Sequence, residues 1–116
     1  MPFWNVNTLQ LQAFRPGIMS QAEIGNGLIM VCMEIAAGKE DTGHEHTFDQ
    51  CGLVIAGAIE MFIGEERKTL AANDSYFIPA GLRHGWKTFD GPVKLLPAQN
   101  RNRCLLSGIS CLPVPK

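Results

Sequence analysis

Short apolar runs separated by turn residues recur along the chain, and no stretch shows the period of an amphipathic helix. The first strong run, 28–35, is apolar at every position except Glu34. Glycine, proline, asparagine or aspartate bounds most of the later runs, and these residues favour turns. Many short strands at such spacing predict an all-β fold, either an antiparallel sandwich or a barrel. We expect strands at 28–35, within 50–63 on both sides of Gly57, and at 67–70, 75–78, 84–87 and 93–96.

A chain of 116 residues is long enough for one domain with a real core and too short for two. We divide it into an N-terminal arm at 1–23 with room for a short strand, a barrel at 24–96 and a C-terminal segment at 97–116. The C-terminal segment contains no acidic residue. It either adds a last strand at 104–109 or is poorly ordered.

The formal net charge is −1 and both signs are scattered, so neither a nucleic-acid surface nor a basic membrane-binding face is indicated. The N-terminus lacks the basic and apolar regions of a signal peptide, and the longest apolar stretch, 27–33, is too short to span a bilayer. We therefore expect a cytoplasmic protein. In that reducing compartment the cysteines should be free thiols, because none of them has a closely spaced partner. The cysteines are Cys32, Cys51, Cys104 and Cys111.

All three histidines of the chain fall in two short motifs. His44 and His46 stand two apart in a stretch that we expect to form a strand opening just after Gly43, so both imidazoles would project from one face. Gln50 follows at an even offset, and its amide oxygen is a neutral metal ligand. His84 comes far downstream, after a proline-containing turn. Because the chain has no spare histidine, the pattern predicts one shared site.

Imidazole nitrogens suit borderline divalent metals, and the strands of a small barrel would hold three of them convergent. We predict one ion, which is zinc, nickel, iron, manganese or cobalt, bound by His44, His46, Gln50 and His84. An alternative for Gln50 is a place behind the ligands, where it would orient a histidine or a bound water. A site of this kind leaves one or two positions open for water or substrate.

Two motifs of this chain resemble those of the cupin superfamily. The second runs from Asn73 to Thr88, with Asn73 in place of the usual first glycine and Thr88 in place of the final asparagine. A glutamate usually stands where Gln50 stands in the first motif. The resemblance covers 24–96 and implies an antiparallel double-stranded β-helix, the jelly-roll barrel of cupins. The first motif is carried, in order, by Gly38, His44, His46, Gln50 and Gly57.

With three imidazoles and an amide as ligands, no ligand offsets the charge of the ion, so the centre should be a strong Lewis acid. Among the candidate functions we therefore favour an isomerase or lyase that acts on a small sugar acid or hydroxy-keto compound. A narrower resemblance supports this interpretation, because small cupins that convert unsaturated uronates also carry His-x-His, a glutamine and a later Ile-Pro-x-x-x-x-His. Those relatives have an acidic residue and an arginine after the second motif. Here no acid follows Asp90, and only Arg101 or Arg103 could take the place of the arginine.

Two other functions stay open. Several three-histidine cupins that resemble this chain are dioxygenases with iron or another redox metal. The other alternative is a metal-dependent module that binds or senses a small molecule without turnover. Because one fold hosts many activities, the resemblance does not choose among them.

Spacing assigns no catalytic residue. Glu45 and Asp49 lie at odd positions, so both should face away from a metal held at even positions. The remaining candidates for proton transfer are a hydroxide on the metal, Tyr76, Glu34 and Glu60. The residues that we expect to line the pocket are Met30, Tyr76, Phe77 and Trp86.

The run 28–35 is apolar on both faces, and only one face can line the interior of a single barrel. We therefore expect a homodimer that buries the other face by sheet packing or strand exchange. The expected partners are thus a small-molecule ligand and a second copy of the chain.

Overall fold

The computed structural model describes residues 3–101 and folds them into ten strands. The expected strand at 104–109 lies outside these residues, as do Arg103, Cys104 and Cys111. The described part of the chain has no helix long and apolar enough to cross a lipid bilayer. The strands are β1 (Gln12–Arg15), β2 (Ile18–Ile24), β3 (Leu28–Ile35), β4 (Glu40–His44), β5 (Gln50–Ala56), β6 (Ile59–Ile63), β7 (Glu66–Leu70), β8 (Ser75–Ile78), β9 (His84–Thr88) and β10 (Val93–Asn100).

The ten strands form two antiparallel sheets that share one apolar core. The first sheet has six strands in the order β1-β2-β3-β10-β5-β8, and the second has four in the order β4-β9-β6-β7. Neighbours such as β3 and β10 are far apart in the sequence, so the chain passes repeatedly from one sheet to the other, as in a jelly roll. The predicted all-β, antiparallel jelly-roll fold is confirmed.

The apolar runs locate most strands correctly. The predictions for β3, for β8, and for β5 and β6 on either side of Gly57 are confirmed, and β7 and β9 each extend the predicted range by one residue. The N-terminal region contributes more than the short strand that we expected. It forms β1 and β2, and β2 pairs with β3 from Ile18 to Ile24.

Strand β10 continues through Pro97 to Asn100, although we expected it to end at residue 96. Proline has no backbone N–H to donate, so it weakens a central strand. The structure accommodates it because β10 and β3 have no paired residues at this position, and their pairing resumes at Ala98. On the other side Pro97 lies opposite Gly52 of β5. The extension carries the next inward side chain, Gln99, to the end of the barrel.

Alternate residues of β3 fill the core, and part of its outer face is covered as well. Cys32, which points outward, is fully buried. Lys94 of the neighbouring strand donates a hydrogen bond to the carbonyl oxygen of Val6 at 2.9 Å, so the N-terminal region lies against this face. Part of the outward face is thus covered within the chain itself, and the homodimer stays a prediction. The inward residues of β3 are Ile29, Val31, Met33 and Ile35.

Gly52 leaves room for the only tyrosine of the chain. It lies opposite Tyr76 in the β5–β8 pair, on the inward face of the sheet. A Cβ atom on Gly52 would overlap the hydroxyl and the ring of Tyr76. The phenol therefore folds across the strand at this glycine and stays buried in the barrel.

We expect Gly52→Ala to lower the free energy of unfolding by about 1–3 kcal/mol, the usual cost of overpacking a core, because the methyl group must displace Tyr76. Gly91→Ala is the matched control. A Cβ atom there meets nothing within 4 Å, so its stability should stay equal or rise slightly. Urea denaturation followed by tryptophan fluorescence measures both. Equal unfolding free energies for the two variants would contradict the assigned contact.

Candidate metal centre

Strand ends from both sheets meet at one end of the barrel and carry the predicted metal ligands. His44 is the last residue of β4, His84 the first of β9 and Gln50 the first of β5. His46 lies in the loop between β4 and β5. The prediction that both His44 and His46 lie on a strand opening after Gly43 is therefore wrong, because β4 ends where that strand was expected to begin.

A β-bulge near the end of β4 turns His44 toward the interior. Asp41 lies opposite Trp86 and His44 lies opposite His84, so β4 has one more residue than β9 between these pairs. Gly43, inside the bulge, has a φ of 138°, which glycine adopts at little cost. Asp41 and His44 therefore both face inward, although an odd number of positions separates them.

Backbone contacts hold the loop that carries His46. The N–H of Gly81 donates to the carbonyl oxygen of His46 at 2.6 Å. The N–H of Ala80 donates to Oδ1 of Asp49 at 2.9 Å, so this exposed carboxylate serves the loop rather than the site. The ring of His46 also stacks on Phe48, with 4.6 Å between ring centroids. These contacts give His46 a defined position without a strand.

The three imidazole rings converge. Their centroids are 4.2 Å apart for His44 and His84, 4.6 Å for His44 and His46, and 5.1 Å for His46 and His84. One ligand nitrogen of each ring lies within 4.8 Å of the others. Bonds from imidazole to a divalent ion such as zinc are roughly 2.0–2.1 Å long, so nitrogens as far as 4.8 Å apart must move closer together to share one ion.

Contacts behind two of the rings determine which nitrogen faces the centre. Nδ1 of His84 lies 2.9 Å from the carbonyl oxygen of Leu82. A carbonyl oxygen only accepts, so Nδ1 carries the proton and Nε2 presents its lone pair. Within residues 3–101, this Nε2 has no hydrogen-bond partner. Nδ1 of His44 lies 2.9 Å from Oδ2 of Asp41, and this negative charge favours a proton on Nδ1, which leaves Nε2 of His44 as the donor nitrogen.

Gln50 adds a buried oxygen to the centre. Its side chain is 3 % exposed, and its Oε1 has no hydrogen-bond partner in the described part of the chain. With His44 and His84 it lines a cavity of about 10 Å³, close to the space that one water molecule or ion needs. A buried acceptor without a partner costs about 1–3 kcal/mol. A divalent cation would satisfy the amide oxygen and the imidazole nitrogens together, so these residues fit a metal ion.

Tyr76 and Trp86 line the same cavity, and both are 8 % exposed. Burial raises the pKa of the Tyr76 phenol above its usual value, because the phenolate would lose its hydration. The phenol therefore stays protonated near neutral pH. The rest of the wall is mainly apolar and includes Met61, Ile78 and Leu95.

The other two residues predicted to line the pocket do not reach this cavity. Phe77 follows Tyr76 on edge strand β8 and is 59 % exposed, because successive residues of a strand point to opposite faces. Met30 is half-buried on the outward face of β3.

The glutamates considered for proton transfer lie on outer faces of the sheets. Glu60 contacts Arg67, with 3.3 Å between Oε1 and Nη1. Glu34 lies opposite Met19 of β2 and lines an outer groove. Of the three protein groups considered, the structure brings only Tyr76 to the cavity.

Sequence reasoning missed Gln99. It lies directly opposite Gln50 in the β5–β10 pair, is 3 % exposed, and neither atom of its amide has a hydrogen-bond partner among residues 3–101. The inward alternation of β10 would have located it, but Pro97 indicated an earlier strand end. With Leu28 and Phe77, the two amides border a groove of about 160 Å³ that opens to the surface.

A family model described as "Cupin domain" matches residues 31–98, more than half of the chain. No curated protein sequence matches the chain significantly. Among solved structures, KdgF from Halomonas sp. is 25 % identical over 90 % of this chain and 99 % of that chain, with a TM-score of 0.77. An RmlC-like cupin from Shewanella frigidimarina is 22 % identical over 89 % of this chain and 93 % of that chain, with a TM-score of 0.76.

The polyketide cyclase RemF from Streptomyces resistomycificus has a TM-score of 0.73 and is 15 % identical over 86 % of this chain and 79 % of that chain. At such identity the likeness concerns the fold. The family match covers both histidine motifs, the whole four-stranded sheet and most of the six-stranded sheet. The chain therefore belongs to the cupin domain family.

Proposed function

We propose that the protein binds one divalent metal ion through His44, His46 and His84, with the Gln50 amide as a fourth ligand. In this proposal the centre acts as a Lewis acid on a small oxygenated compound, a sugar acid or a hydroxy-keto compound. The observation that carries the proposal is the convergence of three imidazole nitrogens within 4.8 Å of one another. They meet beside a buried cavity whose described lining contains no carboxylate.

When bound, such an ion supplies Lewis acidity toward a carbonyl or hydroxyl oxygen. Tyr76 keeps a proton on its Oη and can donate it in a hydrogen bond to a substrate oxygen. The amides of Gln50 and Gln99 offer donors and acceptors without charge. Trp86 and the apolar wall exclude water, which strengthens each of these polar contacts.

The neutral donor set supports Lewis-acid chemistry over a dioxygenase. Neutral ligands leave the charge of a divalent ion uncompensated, whereas a carboxylate ligand would do more to stabilise an oxidised ferric state.

The position of Arg101 bears on the choice of substrate. Arg101, considered above as a substrate-binding group, donates to the carbonyl oxygen of Gly25 at 2.9 Å, at the turn between β2 and β3. We therefore propose the wider class of oxygenated compounds rather than uronates alone.

We expect the purified protein to hold close to one divalent ion per chain, and His84→Ala to lose it, because the remaining donors no longer enclose the ion. Lys87→Ala, on the exposed face of the same strand, is the control and should keep the ion. Elemental analysis after mild purification measures both. A wild-type protein that binds no zinc, nickel, iron, manganese or cobalt under any loading condition would refute the proposal.

We expect the Tyr76 phenol to resist ionisation when pH rises through the usual tyrosine value of about 10. Burial raises its pKa in the folded state only, so alkaline pH above about 10 deprotonates the unfolded chain first and lowers stability. Ultraviolet absorbance of tyrosinate reports this group alone, because the chain has one tyrosine. The denatured protein is the reference. A folded protein titrating at the same pH as the denatured chain would contradict the assignment.

We expect turnover of at least one compound in a panel of uronates and other hydroxy-keto acids, without oxygen uptake. His46→Ala should abolish turnover through loss of the metal, whereas Tyr76→Phe should reduce the rate but keep the metal. Product analysis and an oxygen electrode measure the outcome. Oxygen consumption coupled to product would identify a dioxygenase instead, and a ligand bound but left unchanged would identify a binding module.

A further inference from the structure

The carboxylate of Asp41 touches a histidine of the candidate metal centre. Its Oδ2 lies 2.9 Å from Nδ1 of His44, and its Oδ1 accepts the backbone N–H of Gly43 at 3.0 Å. Both oxygens are thus used within the bulge of β4. The side chains of Asp41 and His44 are only 21 % and 16 % exposed, so solvent screens this contact less than it screens a surface pair.

The β-bulge in β4 brings Asp41 and His44 into contact. In a regular strand, residues 41 and 44 would point to opposite faces. The extra residue reverses that parity, so Asp41 shares the inward face with Trp86 and stands behind the His44 ring. Because its other oxygen holds the Gly43 amide, the carboxylate also fixes the backbone that aims the ring.

We propose that Asp41 is a positioning residue that supplies, through His44, the negative charge that the metal ligands themselves lack. A carboxylate this close to Nδ1 favours the tautomer with its proton on that nitrogen, and its negative charge makes Nε2 a stronger donor to a metal. His84 has a neutral carbonyl at the same place, so His44 becomes a stronger donor than His84. This inference rests on the metal site of the proposed function. It identifies Asp41 as the residue that supplies negative charge to that site.

The main test compares zinc affinity, measured at one pH by competition with a chromogenic chelator, for the wild type, Asp41→Asn and Glu45→Gln. Asn keeps an oxygen for the Gly43 amide but removes the charge. Affinity should fall by roughly 10–100-fold, the usual effect of losing such a partner. Glu45→Gln removes an equal charge from the exposed neighbour of His44 and should leave the affinity unchanged.

A second substitution separates charge from position. Glutamate at position 50 would put a carboxylate into the cavity itself, so Gln50→Glu should restore most of the zinc affinity that Asp41→Asn removes. Nitrogen NMR of the histidines in metal-free protein gives a readout without metal or activity. The wild type should show His44 with its proton on Nδ1, and Asp41→Asn should shift that tautomer while His84 keeps its signal.

The outcomes distinguish this inference from the proposed function. A wild type that binds no metal would remove the proposed function, and the NMR comparison would still test whether Asp41 orients His44. A wild type that binds zinc while Asp41→Asn binds it equally well would overturn only the role of Asp41. An equal loss in Glu45→Gln would overturn it too, because the effect would then be one of general surface charge.

Discussion

The main constraint at this end of the barrel is a group of buried polar atoms that have no hydrogen-bond partner in the described residues. Nε2 of His84, Oε1 of Gln50 and the amide of Gln99 are all buried, and none has a hydrogen-bond partner among residues 3–101. Each such group costs roughly 1–3 kcal/mol, a large share of the stability of a small domain. Several of them lie at one end of the barrel, and the proposed cation together with a polar ligand would satisfy them.

The rest of the jelly roll supports that arrangement by being apolar. Inward residues of β3, β6 and β10 form a continuous core below the histidines, so the polar groups are concentrated where strands begin and end. Gly52 admits the Tyr76 phenol into this boundary, and burial keeps its proton in place. The site therefore combines converging imidazoles, neutral amides and one protonated hydroxyl, a combination suited to polarising an oxygen of a small molecule.

No carboxylate lines the described cavity, and one lies behind His44. The position where cupins commonly have glutamate holds Gln50, and the carboxylate of Asp41 stands one step further out, behind His44. The ion would thus meet neutral donors directly, while one donor is strengthened from behind. In the proposed centre such an arrangement would keep Lewis acidity high and would still hold the metal, since the charge acts on the imidazole and does not occupy a coordination position.

Alternation and turn residues were enough to predict the all-β fold and most of the strands. The two histidine motifs and their resemblance to those of cupins were the basis for predicting a shared site for His44, His46, Gln50 and His84. They failed where the chain departs from regular strand geometry. The bulge at Gly43 reverses parity and brings in Asp41, and β10 passes Pro97 because its ladder to β3 is interrupted there, which delivers Gln99. The sequence by itself therefore determined which strands form, because period two is a local property, and its two motifs indicated which histidines cluster. The tertiary structure alone decided which other polar side chains face them, because bulges and interrupted ladders depend on the neighbouring strand.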